Sequence, residues 1–338
     1  MKCMKLGKRT ILKKPQAKLE YSSDDLRWAT PQAVADYRAQ RLKCSVIADI
    51  GCGIGFQAIA FAKTCRKVYA LDLNQEKLEK AKKNAQISGI KNIEFVCGDA
   101  LDPEVIKKLK NADIIFCDPQ RPPQENSRTI ETLSPNILEL LKAYGKITSK
   151  IAIEFPPQIK EIPFDCEREY LSVNGSLNRL TLYFNELKGT DRSAVALPGN
   201  HRLASSNKKI ALKTSKKLLA CLYEIDPAAV KAKLLAELSQ LSKTALYDEN
   251  KNVFFTSDKL ARNNFFKNAF KVLKEVSFEA SSLVKALQQA QAKSIVLRYA
   301  IDPREYWSER KKWESGLTGT KTIHLFKFKN KAVIAEKI

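Results

Sequence analysis

From Ser45 to about Glu186, short apolar runs alternate with stretches whose apolar positions recur at helical spacing. Ser45–Ile50 is an apolar run that ends on a glycine-rich turn, and Phe56–Lys63 reads as the helix after it. Val68–Leu73, Ile93–Cys97, Ala112–Cys117 and Lys150–Phe155 follow as strands, with helices expected over Gln75–Ser88 and Thr132–Tyr144. Glu167–Val173 and Arg179–Phe184 flank Asn174-Gly175, a dipeptide suited to a tight hairpin turn. Strands alternating with helices imply an α/β fold, a mainly parallel sheet covered on both faces, with the late hairpin as its antiparallel edge.

Residues 189–215, rich in Gly, Ser, Asn and Lys, read as a linker. Beyond them Pro227–Ser242 has the pattern of an amphipathic helix and Phe270–Phe278 that of a strand. Ser281–Ala292, Ser294–Tyr299, Pro303–Trp313, Thr322–Phe328 and Ala332–Glu336 then read as helix, strand, helix, strand, strand, a smaller α+β unit. The expected organisation is a basic segment over 1–27, an α/β domain over 28–188, the linker, and an α+β domain over 216–338.

Composition narrows the class. A length of 338 residues fits two domains, and 44% apolar with 28% charged residues excludes wholesale disorder. No apolar run approaches the roughly 18 residues needed to span a bilayer, so no membrane association is expected. The first eighteen residues carry Lys and Arg but no acid and no continuous apolar core, so no secretory signal is expected. Eight cysteines without a C-x-x-C pair, and only His201 and His324, imply no metal site and suit a reducing cytoplasm. Net charge is +22. Residues 201–338 hold 27 basic and 13 acidic groups, a net +14, against 32 and 24, a net +8, in residues 1–200. The shorter part is the more basic, as expected for an electrostatic footprint on nucleic acid or an anionic membrane surface.

The candidate chemistry gathers behind the first strand. In Asp49-Ile50-Gly51-Cys52-Gly53-Ile54-Gly55 the glycines permit a tight turn and close approach of a ligand, and the helix that follows offers free N–H groups to an anion. The loop also fits the loose dinucleotide pattern G-x-G-x-x-G/A. Asp49 can receive a ligand ammonium. Asp72 ends the second strand, where an acid binds ribose hydroxyls; Gly98-Asp99-Ala100 ends the third, and Asp118-Pro119 the fourth. Acids at four successive strand ends converge on the crevice where doubly wound sheets bind ligands.

Residues 45–123 resemble class I S-adenosylmethionine-dependent methyltransferases: Asp49–Gly55 is similar to their first motif, Asp72 to their ribose acid, Gly98-Asp99 to their adenine-side motif, and Asp118-Pro119-Gln120-Arg121 to the motif where substrate meets the methyl group. The resemblance implies a Rossmann-like fold and a cofactor, S-adenosyl-L-methionine, held by Thr30, Asp49, Gly51, Gly53, Gly55, Asp72, Leu73, Asp99 and Ala100. Upstream, Trp28-Ala29-Thr30-Pro31 with Val34-Ala35, Arg38-Ala39 and Arg41 resembles the lead-in helix of trimethylguanosine synthase-like enzymes and of methyltransferases with a C-terminal THUMP-like domain. Thr30 can be the N-cap of that helix, with Pro31 at its first position. The segment Tyr223–Pro227 and the element order from Ile295 to Glu336 are similar to the THUMP-like module.

Methyl transfer needs alignment above all. Asp118 can accept a hydrogen bond from a base N–H, the Pro119 carbonyl can take a second, and Arg121 can stack on a base or grip a phosphate. Gln120 and Arg121 depart from the Pro and aromatic residues common in exocyclic-amine methyltransferases. Uracil-C5 methyltransferases share Asp-Pro-x-Arg but need a nucleophilic cysteine in a downstream loop, whereas Cys166 falls in or beside a predicted strand. Phe265-Phe266-Lys267 and Trp307–Trp313, with Arg304, Arg310, Lys311 and Lys312, mix aromatic and basic groups as RNA binders do. The expected function is a cytoplasmic methyltransferase of tRNA or rRNA; the alternatives are methylation of a protein or small molecule, and a non-catalytic RNA-binding protein with a vestigial cofactor site.

Overall fold

A computed structural model describes residues 19–23, 25, 29–120, 129–159, 161–248 and 253–338. The described residues form two compact units, 19–207 with 227–234, and 208–226 with 235–338. No helix among them is long and apolar enough to cross a membrane.

The first unit is built on a nine-stranded sheet. Its strands are β1 (Val46–Ile50), β2 (Lys67–Asp72), β3 (Ile93–Cys97), β4 (Ile114–Cys117), β5 (Ile151–Phe155), β6 (Cys166–Val173), β7 (Ser176–Phe184), β8 (Arg192–Leu197) and β9 (His201–Ala204), in the spatial order β3-β2-β1-β4-β5-β7-β6-β8-β9. β1 to β5 are parallel, and β7 runs antiparallel between β5 and β6. Asn174 and Gly175 both adopt positive φ (51° and 68°), the turn that the Asn-Gly pair predicts. One face carries α1 (Gln32–Arg41), α2 (Phe56–Ala62) and α3 (Gln75–Ile87); the other carries α4 (Pro103–Lys108) and α5 (Ile137–Tyr144).

Two expectations are corrected. Residues 192–197 and 201–204 are strands of this sheet, because Ser193-Ala-Val-Ala-Leu197 is short, apolar and buried; β8 pairs with β6, so the hairpin is not the edge. Only the Ser, Asn and Gly around that run suggested a linker. The helix expected over Pro227–Ser242 is two, α6 (Pro227–Lys231) and α7 (Leu235–Ser242), broken where Lys233 takes φ 57°. α6 packs on β6, β7 and β8 and belongs to the first unit.

α1 is fastened to its face of the sheet by charges. Its buried Arg38 pairs with Glu154 on β5, which also binds Arg179 on β7, and its Nη1 donates to Gln57 Oε1 at 2.8 Å. One turn on, Arg41 reaches Glu167 (2.9 Å) and Glu169 (3.5 Å) on β6, carboxylates that Arg202 and the Ser193 hydroxyl also bind. Burial alone would raise the Glu167 carboxyl; Ser193, Arg41, Arg202 and the Gly189 N–H together hold it below its ordinary value.

The second unit is a seven-stranded sheet in the order β11-β12-β10-β13-β16-β15-β14: β10 (Cys221–Ile225), β11 (Ala245–Asp248), β12 (Phe254–Ser257), β13 (Phe266–Ser277), β14 (Ala292–Leu297), β15 (Lys321–Phe328) and β16 (Lys331–Lys337). Its pairs are antiparallel except β14 with β15. α8 (Ala280–Gln289) and α9 (Tyr306–Glu314) bury Leu283, Leu287 and Trp313 with Ile295, Ile323 and Ile334. Phe254, Phe270 and Phe326 form a separate apolar cluster with Leu222 and Val333.

The Arg38–Glu154 pair predicts non-additivity. Glu154→Leu and Arg38→Met each destabilise the protein by about 3–5 kcal/mol, since each strands a buried charge. The double variant costs at least ~1 kcal/mol less than the sum, as measured by denaturant unfolding; additive losses would show that the pair is not a unit.

Candidate functional site

The crevice forms where β1 and β4, side by side at the centre of the sheet, end together. The Gly51 and Cys52 N–H groups both donate to the Leu71 carbonyl, at 2.8 and 3.0 Å, turning the chain off β1. Gly51 (φ 78°) lies so close to β4 that a Cβ there would stand 2.7 Å from the Asp118 carbonyl oxygen. Gly55 (φ 86°) opens α2, and a Cβ there would press on Ala81 of α3 at 3.0 Å. Both positions are closed to a side chain by conformation and by space. Gly53 (φ 54°) meets nothing within 4 Å and faces open space.

Asp49 lies on the face of β1 that α1 and α2 cover, and it is fully buried. Its Oδ2 has no hydrogen-bond partner. Burial is the main cause that pushes its carboxyl up to about 8; the neighbouring Asp118 adds to the rise, Arg38 opposes it, and Asp72 and Glu154 add a little more. A buried acid with an open oxygen is suited to a cationic ligand, which would restore its ordinary ionisation.

Asp72 ends β2 with both oxygens tied to backbone: Oδ2 accepts from Gly53 N at 2.8 Å and Oδ1 from Asn74 N at 2.9 Å. Each oxygen keeps a lone pair for a hydroxyl, and the first bond holds the glycine loop against β2. Leu73 beside it is 73% exposed, an apolar surface next to that acid. Asp99 is exposed at the end of β3 and closes a turn by accepting from Leu101 N at 2.8 Å. Ala100 is buried in the core, and its carbonyl accepts from Tyr144 Oη at 2.8 Å, so it offers a ligand no side-chain surface. At the end of β4, Asp118 donates its N–H to the Ile50 carbonyl at 3.0 Å, Pro119 is buried, and Gln120 bridges to Ser134.

The expected N-cap is corrected. Pro31 itself is the cap residue, with φ −58° and ψ 141°, and its carbonyl accepts from Ala35 N at 3.0 Å; no side chain caps α1. The proline's extended backbone starts the helix one residue later than expected and leaves Thr30 buried before it. Arg121 and Trp28 lie outside the described residues.

Arg38, Gln57 and Glu154 were not among the expected site residues. Arg38 is the cation that acts on both Asp49 and Asp118, and its guanidinium lies 4.5 Å from the Phe116 ring centre. The available signal was an arginine amid Val34, Ala35, Ala39 and Leu42, the apolar positions of α1: an amphipathic helix that puts Arg inward must meet a buried acid. Cys52 and Cys117 are both buried, which pushes their thiols well above the usual range.

Comparison with known proteins fits this geometry. Residues 43–177 match the family described as a methyltransferase domain. An uncharacterized RNA methyltransferase from Oceanobacillus iheyensis is 39% identical over 83 residues, 23% of this chain and 18% of that protein. The human tRNA (uracil-5-)-methyltransferase homolog A is 34% identical over 80 residues, 23% of this chain and 13% of that one. The chain thus spans less than a fifth of the length of these relatives. In fold, a crystal structure of a proposed methyltransferase from Porphyromonas gingivalis W83 matches 94% of this chain and 83% of its own, with a TM-score of 0.73 at 17% identity. Sheet order, glycine turn and the match over residues 43–177 agree: the first unit has the class I Rossmann-like fold, and this stretch of it is similar to a methyltransferase domain.

Proposed function

We propose that the protein is an S-adenosylmethionine-dependent RNA methyltransferase acting on a base of tRNA or rRNA in the cytoplasm. The observation that carries the cofactor is the buried, unpartnered Oδ2 of Asp49 beside a glycine turn and the ribose-type acid Asp72. These residues fit the cofactor: Asp49 its ammonium, Asp72 its ribose, Leu73 and Asp99 its adenine, with Gly51, Gly53 and Gly55 keeping the backbone clear and Thr30 at the border. When bound, the cofactor supplies an electrophilic methyl on a sulfonium.

The residues of the chain then have three tasks. Asp49 exchanges its proton for an ion pair. Asp118 accepts an N–H of the target base and so orients the nitrogen lone pair, with the Pro119 carbonyl as second acceptor and Arg121 against the base or its phosphate. Arg38 keeps Asp49 from rising further and is the cation beside both Asp49 and Asp118. Support for RNA comes from the names of the relatives and from the net +14 of residues 201–338, most of which belong to the second unit, which we assign, by its similarity to THUMP-like modules, to substrate grip. Transfer to carbon 5 of uracil, the chemistry in the name of the human relative, needs an attacking thiolate. Cys117 and Cys166 lie in strands with thiols raised by burial, so we favour a nitrogen target.

Cofactor affinity, measured by calorimetry, tightens by close to tenfold per unit between pH 6 and 7, because only ionised Asp49 binds and its ligand-free form titrates near 8. Asp49→Asn weakens binding by more than about tenfold and flattens that dependence. The same raised carboxyl makes the ligand-free fold lose stability as pH climbs from about 4, the unfolded value, through 8; Asp49→Asn is therefore the more stable protein at pH 8 and not at pH 4. Asp118→Ala lowers transfer of labelled methyl into small RNA at least ~100-fold while cofactor affinity stays within about threefold. Equal transfer by that variant, or none by the parent protein with the cofactor bound, would contradict the proposal.

A further inference from the structure

On the second unit, α9 and the turn before it sort their charges. Glu309 accepts from Trp313 Nε1 at 2.9 Å and from Tyr299 Oη at 3.2 Å. Glu314 accepts from the Ile295 N–H of β14, the edge strand of the sheet, at 2.7 Å, and binds Arg310 Nε at 2.8 Å. Two acids of the helix are thus consumed in holding it to the sheet, and Trp313 is buried with them. Outward stand Arg304, Trp307, Ser308, Lys311 and Lys312, with Glu305 as the exposed acid among them.

Trp307 is 58% exposed. Tyr306 meets it edge-on, ring centres 5.4 Å apart and planes at 89°, and the Arg310 guanidinium stands 5.4 Å from its centre. Both neighbours fix the ring's orientation. Helical spacing places Lys311 one turn beyond Trp307, with Lys312 beside it; Arg304, in the turn before the helix, is in a bidentate pair with Asp302 yet still 89% exposed.

We propose that this face of α9 binds single-stranded RNA: Trp307 is a stacking platform for one unpaired base, and Lys311, Lys312 and Arg304 take the flanking phosphates. One fixed aromatic ring amid cations matches a nucleotide, a flat ring between two anions. A lipid surface would call for a continuous apolar patch, which this charged face lacks, and a duplex offers no free base face. The proposal rests on RNA being the substrate, and it identifies the part of the protein that holds an unpaired stretch of it.

Binding of a fluorescently labelled single-stranded 12-mer RNA to the full chain tests this, beside a duplex of the same length. Trp307→Ala weakens single-strand binding about tenfold, Trp307→Phe restores most of it, and duplex binding changes in neither. Lys311→Gln with Lys312→Gln lowers the slope of log affinity against log salt by about 1. All these side chains are exposed, and an unchanged melting temperature shows the fold intact. Single-strand binding indifferent to Trp307 would overturn the surface and leave the RNA reading standing. Absence of any RNA binding by the parent protein would overturn both.

Discussion

Like charges crowded at the end of a parallel sheet are the constraint on which the rest of the structure depends. Asp49, Asp72 and Asp118 are brought together by strand order alone, and Asp49 is raised first by its burial and then by the neighbouring Asp118. What makes the cluster tolerable is local: backbone N–H groups on Asp72, and the buried guanidinium of Arg38 near Asp49 and Asp118. Arg38 is in turn held by Glu154 and Gln57, so the helix that covers the crevice and the charge that moderates it are one feature. Asp49 Oδ2 stays unsatisfied within this arrangement. Stability given up at that atom is the binding energy available to a cation.

Much of this was legible in the sequence because it lies in local pattern. The β1–glycine turn–α2 unit, the hairpin at Asn174-Gly175 and the acids at strand ends follow from apolar runs interrupted by residues with few conformational options. The element order of the second unit from Phe270 onward was readable for the same reason, whereas its strands β10, β11 and β12 were not read. β8 and β9 were not, since a strand of five small or apolar residues flanked by Gly, Ser and Asn has too little signal, and only pairing with β6 decides it. Likewise, nothing local marks Lys233 as the break between α6 and α7.

In the site itself, the loop glycines and Asp72 are placed as their spacing suggests, whereas Ala100 serves the core and Thr30 does not cap α1. Arg38 and Glu154 are 116 residues apart, and no pattern along the chain joins them. Their pairing exists only once β5 lies beside β4 with α1 across both, a tertiary fact. The same holds for α9: sequence gives a run of aromatic and basic residues, and only the fold separates the buried Trp313 from the exposed Trp307.

The central claim is that Asp49 is held protonated until a cationic cofactor ionises it, and proton release measures this directly. Calorimetry of S-adenosylmethionine binding at pH 6.5, in two buffers of different ionisation enthalpy, counts the protons exchanged. A carboxyl that titrates near 8 when free and is ionised when paired with the cation predicts release of close to one proton, abolished in Asp49→Asn. Binding with no proton released would contradict the account.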